Sequence, residues 1–196
     1  NLGCIMAPTS GELCVAGTST EGLDPEELAG LRRDHIGFIF QSYNLFPTLS
    51  ALENVRISLD VRGQKGYKAA RRSEDVLREV GLGHRLKNYP SNLSGGEQQR
   101  VAVARAIVSS PSVVLADEPT AALDGENGNA VMELLARIAH EQGRSVLAVT
   151  HDPRTLPYAD RVVRIEDGLI VGEERRPEGL DAPEITDLNK RRKAHA

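Results

Sequence analysis

The residue types that could do chemistry cluster in two short stretches. In Leu93-Ser94-Gly95-Gly96-Glu97-Gln98-Gln99-Arg100, a hydroxyl and two glycines stand directly before a strong helical run. Backbone N–H groups and the positive end of a helix dipole can face an anion there with no side chain intervening. A phosphate suits that arrangement. The second stretch, Val113-Val114-Leu115-Ala116-Asp117-Glu118-Pro119, reads as a strand ending in adjacent carboxylates. Such a pair can hold Mg²⁺ and polarise a water beside it. Together the two stretches point to nucleotide hydrolysis.

In this order and at this separation, the two stretches resemble the signature and Walker B motifs of ABC-type ATPases. The resemblance extends back to Gln41, where the family places its Q-loop at the end of the run His35-Ile36-Gly37-Phe38-Ile39-Phe40. It extends forward to Ala121-Ala122-Leu123-Asp124 as D-loop and to Thr150-His151-Asp152 as the switch-histidine segment, covering the chain to about Gly172. It implies ATP and Mg²⁺ as ligands, with Asp117 and Gln41 on the metal and Glu118 as the base that activates water. Strand alternation would point Glu118 to a different side from Asp117. His151 would donate an imidazole N–H to the γ-phosphate. Ser94, Gly95, Gly96 and Glu97, with Asp124 of the D-loop, are the implied nucleotide-binding residues. In the family they meet ATP held by a second, head-to-tail copy, so a homodimer is expected.

The loop G-x-x-x-x-G-K-[ST], whose amides and lysine cradle the β- and γ-phosphates, does not occur in the sequence. Residues Asn1 to Glu12 look like the segment that follows that loop in the family, where a helix runs into a Pro8-Thr9-Ser10-Gly11 turn. The expectation is a chain that begins just downstream of the loop, lacks the N-terminal strands and P-loop, and by itself binds ATP poorly and hydrolyses almost none. True loss of the loop, leaving a catalytically dead fragment, is the alternative.

A length of 196 residues fits one domain with a core of its own, and the scarcity of aromatics makes that core aliphatic. A formal net charge of −4 argues against a nucleic-acid partner. Cys4 and Cys14 have neither metal-ligand spacing nor companion histidines, so two buried, reduced thiols are expected. No apolar run reaches the roughly 18–20 residues of a membrane span. The resemblance therefore implies a soluble subunit, cytoplasmic and peripheral on the inner face of the cell membrane. It would serve an integral permease (FtsX- or MacB-like) on another polypeptide, through which a periplasmic adaptor could be reached.

Elements must place these residues. Leu13–Ala16 reads as a short strand, and Asp24-Pro25-Glu26-Glu27 starts a helix ending near Arg33. Residues 35–40, 113–116 and 145–149 read as strands, with a helix from about Glu126 to Gln142. Strand–helix–strand units of that kind make a parallel sheet. Apolar residues at helical spacing fill a block from about 42 to 92, an α-helical insert in which Tyr43–Thr48 would begin the permease contact. A hairpin follows, with Glu166-Asp167-Gly168 as its turn. The expected fold is α/β, P-loop NTPase-like (RecA-like): a mostly parallel sheet flanked by helices, with the inserted subdomain. The nucleotide-binding domain would occupy residues 1–172, and the charged tail 173–196 would be disordered or loosely attached. Glu97 and Ala121, where the family often has Gln and Ser, resemble the exporter branch of lipoprotein-releasing (LolD-like), macrolide-efflux (MacB-like) and glycolipid (DevA-like) ATPases. Export of a lipid, lipoprotein or drug-like substrate is the implied function. The competing expectation is a non-transport ATPase regulating a membrane partner, as in FtsE-like proteins.

Overall fold

The structure is a computed structural model that describes residues 2–6 and 8–176. A small antiparallel hairpin, β1 (Cys14–Val15) and β2 (Thr18–Ser19), precedes helix α1 (Pro25–His35), which runs straight into β3 (Ile36–Ile39). Helices α2 (Ala51–Asp60), α3 (Tyr67–Glu79) and α4 (Gly95–Ile107) lead to β4 (Val113–Asp117). Helix α5 (Gly125–Gln142), strand β5 (Ser145–Val149) and the hairpin β6 (Arg161–Glu166) and β7 (Leu169–Arg175) complete the order.

Helix starts follow from side chains that satisfy backbone donors a helix cannot satisfy itself. Asp24 with Glu27, Ser50 with Glu53 and Ser94 with Glu97 each form a reciprocal capping box. Helix α5 begins at Asp124 and stops at Gly143, which takes the left-handed φ of 61°.

Strands β3, β4 and β5 form one parallel sheet, in that order. Ile39 lies opposite Ala116, which lies opposite Ala148, so the three carboxyl ends are level. Helices α2, α3 and α4 pack on one another and α4 lies against β3, while α5 lies against α4 and β5. The core is aliphatic, with Val55, Leu59, Leu77, Val101, Val103, Ile107, Val114, Leu135 and Ile138 all excluded from solvent. Among the described residues no helix is long and apolar enough to cross a membrane.

Several expectations change. The opening segment forms turns and bends over residues 2–6, not a helix. Cys4 is buried and Cys14, expected to be buried too, is exposed, because it lies in the small surface hairpin. The strand expected over Leu13–Ala16 shortens to Cys14–Val15, because Ala16 and Gly17 both take positive φ to turn the hairpin. Among the described residues β5 pairs with β4 alone. Val146 and Ala148 pack on the core, whereas Leu147 and Val149 are 44% and 62% exposed. Strand β7 continues to Arg175, past the boundary expected at Gly172, because its backbone keeps pairing with β6, Glu173 opposite Val163 and Arg175 opposite Arg161. The rest of the charged tail, including Lys190-Arg191-Arg192-Lys193, lies outside the described residues.

One glycine sets how closely α4 approaches the sheet. A Cβ at Gly37 in β3 would stand 2.4 Å from the carbonyl oxygen of Ala106 and 3.1 Å from Pro111 Cγ. Backbone cannot yield there as a flexible side chain would. Gly37→Ala is therefore expected to cost about 1–3 kcal/mol of stability, the range for forced overpacking, measurable as a lower denaturant midpoint with unchanged slope.

Candidate active site

The level strand ends gather the reactive side chains at one edge. Gln41 follows β3 after a single residue, Asp117 ends β4, Glu118 comes next, and His151 lies just beyond β5. Ligands of open parallel sheets bind at this carboxyl edge, where connecting loops diverge.

Glu118 is the best-fixed of these groups. Its φ is +47°, in the left-handed region, and its N–H donates to the Val149 carbonyl at 2.8 Å. Glu118 thus lies past the end of β4 with its backbone reversed, so strand alternation does not govern the direction of its side chain. A non-glycine residue held there carries strain that its surroundings must offset. The Glu118 carboxylate binds the second loop twice. Oε1 accepts the His151 backbone N–H at 3.1 Å and lies 2.7 Å from His151 Nδ1. A carboxylate only accepts, so in this pair Nδ1 carries the proton and Nε2 is free for another partner. Oε2 is buried and has no hydrogen-bond partner among the described residues. The His151 side chain is 83% exposed, whereas that of Glu118 is 17% exposed. Gln41 and Asp117 are both exposed.

The tip of α4 forms the second half. Ser94 is exposed, and its Oγ accepts the Glu97 N–H at 3.2 Å. Glu97 was expected among the nucleotide-binding residues, but its carboxylate is engaged elsewhere. Oε2 accepts the Ser94 N–H at 2.9 Å and Oε1 accepts from Arg85 Nε at 2.9 Å. Burial pushes the Glu97 carboxyl up, but the Ser94 N–H and Arg85 outweigh it and hold the group below its ordinary value. Glu97 therefore braces the tip, and its charge would repel a phosphate that came directly against it.

The glycines let the tip touch its neighbours. A Cβ on Gly95 would lie 3.0 Å from the Tyr43 hydroxyl and 3.8 Å from the Ala122 carbonyl oxygen, and one on Gly96 would lie 2.4 Å from Asn127 Oδ1. The signature tip is thus seated against the expected D-loop. Asp124 caps α5, with Oδ1 accepting the Asn127 N–H at 2.9 Å and Oδ2 accepting from Asn127 Nδ2 at 2.9 Å. Those bonds hold its carboxyl below the usual range. As with Glu97, the side chain expected to meet nucleotide is occupied with a helix start.

Residues that motif spacing did not single out complete the site. Gln99 is 1% exposed and donates from Nε2 to the Pro119 carbonyl at 2.8 Å, tying α4 to the turn immediately after Glu118. A polar residue on the buried stripe that includes Gly96 and Val103 is the signal that could have marked it. Tyr43 and Asn127 carried no such signal, since only the folded chain places them beside Gly95 and Gly96.

A metal would find a modest protein donor set here. Among the described residues no three His, Cys, Asp or Glu side chains converge as a ligand cage. One exposed carboxylate and a nearby amide fit Mg²⁺, which binds through one or two carboxylates plus substrate phosphates and keeps several waters. Asp117 and Gln41 are the residues that would supply that carboxylate and amide.

A parallel sheet with carboxylates, an amide and a histidine at one edge and a glycine-led helix tip beside them defines a nucleotide-binding cassette of the P-loop NTPase class. The family model described as "ABC transporter" matches residues 3–121, and the chain belongs to that family. It is 43% identical over 193 residues to a macrolide export ATP-binding/permease protein MacB of Shewanella sp. (strain W3-18-1), covering 97% of this chain and 30% of that protein. It is 45% identical over 186 residues to the protein of the same name from Salmonella typhimurium, covering 92% of this chain and 28% of that protein. The chain thus spans about 30% of the length of the curated relatives it matches. Among solved structures it is similar to a dimeric, post-hydrolysis ATP-binding cassette MJ0796 bound to ADP and Pi. That match has a TM-score of 0.79 and 40% identity, covering 88% of this chain and 76% of that one. A second is cbiO1 of Clostridium perfringens, with a TM-score of 0.79 and 28% identity, covering 89% and 70%.

The Glu97 brace gives a pH-dependent prediction. A carboxyl held below its unfolded-state value stabilises the fold above that value, and the contribution disappears as pH falls through the folded-state value. Glu97→Gln should lower stability near neutral pH by about 1–3 kcal/mol, the worth of hydrogen bonds to a charged group. The gap to the wild type should close at acid pH, as followed by chemical denaturation at several pH values.

Proposed function

We propose that this chain is the ATP-binding and ATP-hydrolysing part of an exporter, working on the cytoplasmic face of the cell membrane. The observation that carries the reading is the Glu118–His151 pair at the carboxyl edge. Glu118 presents a buried, unpartnered Oε2 beside exposed Asp117, and His151 keeps an exposed ring edge.

In this reading Glu118 accepts the proton of the attacking water, and Gln41 orients that water through its amide. His151 must exchange part of its bond to Glu118 for the γ-phosphate when nucleotide arrives, which frees the base as the phosphate is engaged. Asp117, with Gln41, would hold Mg²⁺, which when bound neutralises the charge that develops on the β- and γ-phosphate oxygens. Closure of the site excludes water and strengthens each of these contacts.

The exposed Ser94 at the N-terminus of α4, ahead of half-buried Gly95 and buried Gly96, supports a second copy as partner. An anion at an exposed helix N-terminus gains only about 0.3–1 kcal/mol, so the tip becomes useful when a facing protomer brings its own nucleotide to it. Dimeric MJ0796 is consistent with that arrangement. Release of the γ-phosphate would remove the bridge and let the pair open.

The permease is the second proposed partner. A groove of about 720 Å³ runs beside β3 and is lined by Phe40, Phe46, Val61 and Arg105 among others. Phe46 and Val61 are 47% and 67% exposed. This includes the loop at which contact was expected to begin. The relatives' name joins ATP-binding and permease functions, which supports a permease acting with this chain, whether on the same polypeptide or another. A lipid, lipoprotein or drug-like molecule is the proposed cargo.

Glu118→Gln in the full-length gene product should keep ATP affinity within a few-fold of wild type while turnover falls by about 10²–10⁴, the worth of a positioned base. Filter binding and phosphate release measure the two quantities. Turnover retained by that variant would remove Glu118 from the role given to it.

A further inference from the structure

The loop that carries Gln41 has an unusual conformation. Tyr43 and Asn44 take φ of +60° and +47°, consecutive left-handed residues, neither a glycine. Such backbone persists only where something over-determines it. Two local bonds help, from Tyr43 N–H to the Phe40 carbonyl at 3.1 Å and from Asn44 N–H to the Ser42 carbonyl at 2.6 Å. Further along, Asn54 is fully buried and fastens residues 46–50. Its Oδ1 accepts the Phe46 N–H at 2.8 Å and its Nδ2 donates to Leu49 O at 2.9 Å. The strained pair itself is gripped from α4. Arg105 donates from one guanidinium nitrogen to the Tyr43 carbonyl at 2.7 Å and from the other to the Asn44 carbonyl.

Reversing the chain at two adjacent residues turns both carbonyls toward one planar donor. The guanidinium fork suits that, because it presents parallel N–H groups in fixed geometry, whereas an ammonium offers a single compact charge. The same loop touches the other end of α4, where the Tyr43 hydroxyl lies 3.0 Å from where a Gly95 Cβ would stand. Arg105, Asn44 and Phe46 also line the groove beside β3.

We propose that Arg105 is a positioning residue for Gln41: by clamping the Tyr43 and Asn44 carbonyls it holds the loop in its left-handed form and so fixes Gln41 at the carboxyl edge. It acts through the loop and touches neither nucleotide nor water. The importance of Gln41 to hydrolysis rests on the function proposed above, but the clamp itself does not. Because Arg105 and Asn44 line the groove, anything seated there meets the clamp directly.

The test compares wild type, Arg105→Lys and Arg105→Ala as full-length protein. The first readout, hydrogen–deuterium exchange without nucleotide, is independent of activity. Amides of residues 42–46 should exchange about ten- to a hundredfold faster in Arg105→Ala, the loss expected for charge-assisted hydrogen bonds. Amides in the middle of α4 should not change. Arg105→Lys, which keeps the charge and most of the packing but loses the fork, should be intermediate and guards against a folding defect in the alanine variant. The second readout is steady-state ATPase activity, in which kcat should fall about tenfold while KM for ATP moves less than about threefold, as for a group that matters in the transition state. Unchanged loop exchange, or acceleration spread evenly through α4, would overturn the clamp. A loosened loop with normal kcat would overturn its link to Gln41. A wild-type protein without ATPase activity would refute the hydrolysis reading, while the exchange comparison would still decide the clamp.

Discussion

The in-phase parallel alignment of β3, β4 and β5 is the constraint on which the site depends. With Ile39, Ala116 and Ala148 level across the sheet, the three chains leave it at one edge, and each releases its polar residues within a few positions. A one-residue slip of any strand would exchange its two faces and carry its terminal side chains away from the others. The alignment survives because the sheet has a tight cover. Helix α4 comes so near β3 that only a glycine fits at position 37, and buried valines, leucines and isoleucines fill the space behind it.

Helix α4 links that cover to the chemistry. Its first turn presents the exposed Ser94 tip, Gln99 grips the carbonyl after Glu118, and Arg105 grips the loop after Gln41. Its far end is held in turn by two arginines. Arg144 donates to the Ile107 carbonyl at 3.1 Å, and Arg62 donates to the Ser109 carbonyl at 3.0 Å just beyond. Cations at a helix C-terminus satisfy carbonyls that have no partner in the helix and complement its dipole. One rigid element therefore carries the Ser94 tip and contacts the carboxylate turn and the glutamine loop. A displacement of α4 is felt at all three.

Much of this was legible in the sequence because the signals are local. Asp24-x-x-Glu27, Ser50-x-x-Glu53 and Ser94-x-x-Glu97 announce helix starts, since each acid sits where it can reach back to its cap. The apolar runs of β3 and β4 announce strands, and their order fixes a parallel sheet. What the sequence hid depends on distant partners. The run Ser145–Val149 is apolar nearly throughout, and residue type alone does not separate Val146 and Ala148, which pack on the core, from Leu147 and Val149, which are exposed. The end of β7 carries no hydrophobic period, and its strand character shows only in the backbone pairing with β6. The left-handed turns at Tyr43 and Glu118 occur at residue types that ordinarily avoid them, and at both, as at Asn44, bonds to distant partners add to the local ones. Glu97 was legible as part of a motif, yet its part in the brace appears only once Arg85 is seen beside it.

The central claim is that Gln41, Asp117, Glu118 and His151 of one protomer and the Ser94 tip of a second act on the same nucleotide. Its most direct test is a structure of the full-length Glu118→Gln protein with ATP and Mg²⁺. The account predicts the metal beside Asp117 and Gln41, the His151 ring turned to the γ-phosphate, and Ser94 of the facing copy on that phosphate's other side. Nucleotide bound away from the carboxyl edge of the sheet, or a Ser94 tip that meets no nucleotide in any copy, would contradict it.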